Sequence, residues 1–276
     1  GSVVSEYALS FNGTDEYVTA GPSNALVTGN NVSVSMWFKS DGGTTDEYMF
    51  QNCKGAGSTN ISIVLNYGAV AGKIGGLLWD GSGHNALHSA ESANDGNWHH
   101  VVLTTTASAQ VLYLDGASVD TASNVFANAA STDHTTVNTS HNPFGGEIDE
   151  VAIWDVTLDA DAVAAVYNSG SPINLLENKG NYDNKGDIVS WWRMGDNDSG
   201  AGNFVTDVIA TDGEALHLPG VANNYASVPD AADLDGWTNF TMEVKGATFA
   251  NWVPGATQGL MGKYKTSTNQ RAWRFA

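Results

Sequence analysis

The sequence predicts an all-β fold of the sandwich or jelly-roll type. Three observations carry this: short stretches that alternate apolar and polar at period two, Gly- and Asn-rich turns between them, and aromatic residues enough for a core. Tyr7-Ala8-Leu9-Ser10-Phe11 alternates, Asn12-Gly13 supplies a turn, and Tyr17-Val18-Thr19 resumes. Val32 to Phe38 keeps the same period, and Ile61 to Leu65 and Ile74 to Trp79 behave alike. Trp98 to Thr104 and Val111 to Leu114 flank a polar turn, and Asp115-Gly116 marks a tight reversal. Trp37, Trp98 and Trp154 fall inside such stretches and are expected in the core.

One short helix interrupts the pattern. Leu158, Ala162, Val163, Val166 and Tyr167 share a face at helical spacing, and Asp159 and Asp161 suit the positive N-terminal end. Asn168-Ser169-Gly170 should end it through a left-handed exit. A helix this short needs the sandwich edge to dock on.

Composition excludes several function classes. The 276 residues carry 30 acids against 11 Lys and Arg, for a net charge of −19. Such a surface repels a phosphate backbone and an anionic bilayer, so neither nucleic-acid binding nor membrane insertion is expected. No apolar run approaches the ~18 residues of a membrane span, and no signal peptide is visible. The opening Gly1-Ser2, without Met, reads as a tag scar, a processed start or a fragment. Cys53 is alone, which leaves no intrachain disulfide and no zinc site, and it is expected to pack as a small hydrophobe.

A long-period repeat organises the chain. Ala8-Leu9-Ser10-Phe11 with Tyr17-Val18 is similar to Ala215-Leu216-His217-Leu218 with Tyr225 to Val228. Val32 to Lys39 matches Phe240 to Lys245, and Phe50 to Lys54 pairs loosely with Gly259 to Lys263. The expected domains are therefore 1–176, complete, and 177–276, a linker with an incomplete second copy. Either the chain belongs to something longer or another subunit completes the second copy, so oligomer formation stays open.

The blocks Leu9 to Val18, Val34 to Phe38, Asn97 to Val101, Leu112 to Gly116 and Phe144 to Trp154 occur in the order seen in the laminin-G-like, pentraxin-like family. The resemblance implies a concanavalin A-like jelly roll of two antiparallel sheets, with a partial second copy. Asp187 to Met194 is similar to the strand that often precedes the Leu-Ser-Phe block in this family, and so opens the second copy. The fold hosts glycan-binding, adhesive and structural roles alike. The expectation is a non-catalytic glycan-binding or adhesive module of a virion or cell surface. The alternatives are a phage decoration or tail protein whose partners are neighbouring structural proteins and, more weakly, a glycoside hydrolase.

Some glycoside hydrolases of this fold carry a Glu-x-Asp-x-x-Glu strand, which Glu147 and Asp149 begin to match. The third position is Ala152, and in a regular strand Glu150 points away from Glu147. The resemblance also brings Asp149 near the Asn-Gly-Thr-Asp turn, where it could join Asp15 in an oxygen cage for a structural Ca²⁺. Alternatively, Asp149 accepts backbone amides at a strand crossing. His99 and His100 are adjacent on a strand, cannot serve one site, and read as ordinary sheet residues. Glycan recognition needs an aromatic face with fixed polar groups around it. Trp79, at a strand end before a polar loop, is the candidate platform, with Asp80, His84 and Asn85 beside it; a core role for Trp79 is the alternative. The polar segment from Asn124 to Asn142 is either a recognition loop or a solvated one.

Overall fold

The computed structural model describes residues 7–55, 58–129, 131–194, 261–265 and 270–275. The chain divides into a unit of residues 1–236 and a smaller one of 237–276. In the first, two antiparallel sheets pack face to face. One has the order β1-β12-β3-β8-β9-β10 and the other β2-β11-β4-β5-β6-β7. The strands of the first are β1 (Leu9–Asn12), β3 (Val32–Ser40), β8 (His99–Thr105), β9 (Gln110–Leu114), β10 (Ala117–Ala122) and β12 (Gly145–Trp154). The second holds β2 (Val18–Pro22), β4 (Glu47–Gly55), β5 (Ser58–Leu65), β6 (Lys73–Trp79), β7 (His84–Ser92) and β11 (His134–Val137). This is the jelly-roll sandwich that the sequence pattern predicts.

Alternation decides which side chains fill the middle. Val34, Met36 and Phe38 of β3 meet Ile61, Ile63 and Leu65 of β5 and Ile74 and Leu78 of β6 in the core between the sheets. The intervening Ser33, Ser35 and Trp37 face outward, where a second core lies. The helix α2 (Ala160–Tyr167) covers that outer face with Leu158, Val163 and Val166. Asp159 caps it, accepting a hydrogen bond from the Ala162 amide at 2.8 Å. Its exit is left-handed two residues earlier than the glycine, at Asn168 with φ 46°. Ser33 Oγ ties the approach to α2 by donating to Val156 and accepting from the Leu158 amide. A second single-turn helix, α1 (Ser23–Leu26), follows β2.

Three expectations change here. Trp37 and Trp154 are buried, but beneath α2 and the segment after it rather than between the sheets, because odd positions of β3 face out and a bulge in β12 resets its alternation. Trp154 Nε1 donates to Tyr182 Oη, which in turn donates to the Leu175 carbonyl. Trp98 lies before β8 and is 40% exposed. The segment from Asn124 to Asn142 is no simple loop, since the β-branched run Thr135-Thr136-Val137 forms β11 between β2 and β4.

The first unit also runs past residue 176. A further strand, β13 (Ile188–Trp192), pairs with the second half of β12, on the edge whose first half carries β1. Tyr182 and Trp191 sit in the outer core, and Trp192 and Met194 in the inner one. The strand after residue 187 thus joins the first sheet. In the smaller unit β14 (Met261–Lys265) and β15 (Gln270–Phe275) form an antiparallel hairpin, as β4 and β5 do in the first. The repeat blocks at 215–228 and 240–245 lie outside the described residues. Among the described residues no helix is long and apolar enough to cross a membrane.

Candidate functional site

The outer face of the six-stranded sheet carries the predicted platform. In β6, Ile74 and Leu78 enter the core, so Lys73, Gly75, Leu77 and Trp79 face outward. Trp79 is half-buried there. Lys54 Nζ lies 3.8 Å from its ring centroid, and the His84 ring meets it edge-on at 5.3 Å. His84 Nε2 is fixed 3.0 Å from the Thr59 carbonyl. Trp79 and His84 are register partners across β6 and β7, which explains their contact. The other two predicted residues do not join them. Asp80 Oδ1 accepts the amides of Ser82 and Gly83, which closes the turn and lowers its pKa. Asn85 pairs with Leu78 and so faces the other way, donating from Nδ2 to the Val125 carbonyl.

A second aromatic lies on the same face, unmarked by any alternation or spacing in its segment. Tyr67, in a 3-10 turn between β5 and β6, stacks on His88 with ring centroids 5.3 Å apart. It rests over Gly75, where an added Cβ would come within 2.7 Å of the Tyr67 Cβ. Asn66 holds this turn from a left-handed conformation at φ 61°. Its Oδ1 accepts the Gly72 amide at 2.6 Å, and its Nδ2 reaches Glu47 Oε2 at 3.4 Å. Glu47 is buried, and desolvation, helped by Asp41, pushes its pKa up to about 7. A carboxyl raised in the folded state binds its proton more tightly there than in the unfolded chain. Its stabilising contribution is therefore full below pH 4.5 and falls away as the pH rises to about 7. Glu47→Gln should flatten that decline, leaving the variant more stable relative to the native chain above pH 7, as thermal melts across pH will show.

The predicted calcium pair is not brought together. Asp15 is exposed in the turn after Asn12, whose Nδ2 donates to it at 3.0 Å, and Asn12 pairs with Gly145. Asp149 is four residues further along β12, roughly 13 Å of strand. It is buried, and its Oδ1 accepts the Glu150 amide at 2.7 Å. Among the described residues no group of three or more His, Cys, Asp or Glu could hold a metal ion. These residues do not fit the cage that the resemblance implied; Asp149 follows the alternative reading, that of an amide acceptor.

β12 also departs from a regular strand. The register slips between Asp149 and Ala152, and Glu150 takes φ 49°. The bulge puts Glu147, Asp149 and Ala152 on one face, and Ala152 is fully buried under the outer core. Nor does Glu150 simply point away from Glu147, as a regular strand would require. The bulge turns it to β13, where Trp191 Nε1 donates to Oε2 at 2.6 Å and Arg193 Nε to Oε1 at 3.2 Å. Burial and the neighbouring Asp149 hold its pKa well above the usual carboxylate range. Both Glu150 oxygens are thus engaged in fastening the last strand.

The two adjacent histidines part company as the strand period requires. His99 is clamped by Asp115 at Nδ1 (2.8 Å) and by Asp95 at Nε2 (3.1 Å), an arrangement that raises its pKa through Asp115 first. His100 is buried against Trp37 and Tyr167, which also stack on each other, with Nε2 2.7 Å from Ser35 Oγ. Cys53 is buried, and burial pushes its thiol up to about 11.

Two antiparallel sheets and an outer helix define a concanavalin A-like jelly roll. The family described as the concanavalin A-like lectin/glucanases superfamily, in its laminin G form, matches residues 12–164, more than half of the chain. The chain belongs to this family. Similar solved structures include a candidate carbohydrate binding protein from Bacteroides ovatus, 12% identical over 68% of this chain and 51% of that one, at a TM-score of 0.50. A native heptameric SAP-like pentraxin from Limulus polyphemus is 16% identical over 69% of this chain and 93% of its own, at 0.46. The IT-sialidase CBM40 of Ruminococcus gnavus bound to α2,3-sialyllactose is 16% identical over 60% of this chain and 100% of its own, at 0.45. No curated protein matches the chain.

Proposed function

We propose that the first unit is a non-catalytic glycan-binding or adhesive module of a virion or cell-surface protein, with the outer face around Trp79 as its ligand surface. The observation that carries this is the half-buried Trp79 ring at the end of β6 on the outer sheet face, with Lys54 and His84 against it. An aromatic face stacks on the C–H face of a sugar while adjacent polar groups bond its hydroxyls. Lys54 rests on the ring through a cation–π contact worth about 0.5–1 kcal/mol at an exposed site, so a ligand can displace it. The family includes glucanases, but Ala152 stands where a third carboxylate would act. That favours binding over hydrolysis.

A glycan array run in calcium and in EDTA tests the proposal. Specific binding that survives EDTA is expected, since Asp15 and Asp149 are apart. Trp79→Ala should weaken it roughly thirtyfold, the loss of a hot-spot side chain worth about 2 kcal/mol. Silence on every glycan, with firm self-assembly, would favour a structural protein whose partners are other proteins. Release of reducing ends from β-glucans would restore the hydrolase.

A further inference from the structure

The outer face of β6 and β7 is a strip with an aromatic–histidine pair at each end. Trp79 and His84 hold one end, and Tyr67 and His88, over Gly75, hold the other. Gly75 and Trp79 are four residues apart, roughly 13 Å of strand, a span that no single sugar ring bridges. Leu77 and Ala86 pair between them.

Charge is distributed unevenly over the same strip. Residues 1–179 contain 19 acids and only four lysines. Lys39 is paired with Glu147 at 3.6 Å, and Lys179 bonds Asn168. Lys54 and Lys73 form no ion pair among the described residues, and both belong to this face, Lys54 over Trp79 and Lys73 one outward position beyond Gly75. Of the acids at the β6–β7 hairpin, Asp80 closes its own turn, Asp120 Oδ2 accepts the His88 amide at 2.8 Å, and Glu91 stands exposed near the end of β7. Half of the four lysines of residues 1–179 thus flank the two aromatic rings of this one strip, where an ammonium can meet an anionic ligand group.

We infer that the ligand is an acidic oligosaccharide of several units, laid along β6 so that two of its rings stack on Tyr67 and Trp79 while Lys54 and Lys73 meet its anionic groups. The inference rests on the glycan-binding reading above and adds the charge and the length of the ligand. The anionic group is a uronate carboxylate or a sulfate; both offer oxygens to an ammonium donor.

Calorimetric titration of the full chain with a galacturonate hexamer, a chondroitin sulfate hexamer and a neutral glucan hexamer, at low and high salt, tests this. One or both acidic hexamers should bind about tenfold tighter than the neutral one, and the hexamer that binds identifies the group. High salt and the double variant Lys54→Gln/Lys73→Gln should each erase that advantage. Tyr67→Ala should weaken a hexamer more than a dimer, since only the longer ligand reaches both ends. Equal binding of acidic and neutral hexamers, indifferent to the lysine variant, overturns the inference and leaves the glycan module standing. No binding to any hexamer, or to any array glycan, overturns both.

Discussion

Arg193→Leu is expected to destabilise the first unit by about 3–5 kcal/mol, the usual cost of removing one partner from a buried ion pair. Arg193 Nε lies 3.2 Å from Glu150 Oε1, the two side chains are 7% and 3% exposed, and the guanidinium also rests over the Trp191 ring. Without it, Glu150 keeps a bulged, buried position beside Asp149 with a single donor, Trp191 Nε1. Urea unfolding should show a lower midpoint with an unchanged slope. Adding Glu150→Gln to Arg193→Leu should recover part of the loss, because a neutral amide costs less to bury alone than a carboxylate. An unchanged midpoint in the single variant would mean that β13 is not fastened to β12 as described. By the same reasoning, a chain ending at residue 194 should outlast one ending at 176, which lacks Tyr182, Trp191 and Arg193.

Acid should destabilise the same sandwich through His100. The ring is 1% exposed beside Trp37 and Tyr167, and desolvation pushes its pKa down to about 3, against a weaker opposing pull from Asp115. In the unfolded chain it takes its proton near 6.5. Between these values the unfolded state binds more protons, so stability is lost as the pH falls from 6.5 towards 3. His100→Phe keeps a flat ring against Trp37 and Tyr167 and cannot be protonated. Its melting temperature should depend less on pH across that window than that of the native chain. Parallel acid losses in both proteins would show that the ring takes no part.

The strands were legible in the sequence where alternation was regular. β3, β8 and β9 lie where their period-two patterns put them, and the Asn12-Gly13 and Asp115-Gly116 turns carry φ 67° at Gly13 and φ 51° at Asp115. Which face each residue takes was less legible. Trp37 has the same strand context as Met36, and only α2 shows that its side of the sheet is also covered. The β12 bulge has no local signature, since Glu150 is not a residue that favours positive φ, and that one slip displaced the reading of Glu150 and Trp154. At the candidate site, Trp79 and His84 were found because a two-stranded register brings hairpin neighbours together. Tyr67 and Lys54 escaped because they reach the face from other connections, which sequence spacing does not encode. The exposed Trp98 directly follows an Asp95-Gly96-Asn97 turn, the one local sign that it precedes its strand rather than lying inside it.

Hydrogen–deuterium exchange of the full chain, with and without a bound oligosaccharide, tests the placement of the ligand surface most directly. Ligand-induced protection is predicted along Lys73–Trp79 and His84–Ser92, with Glu47–Gly55 beside them. Protection confined to the opposite sheet, over Val32–Ser40 and Gly145–Trp154, would contradict the account.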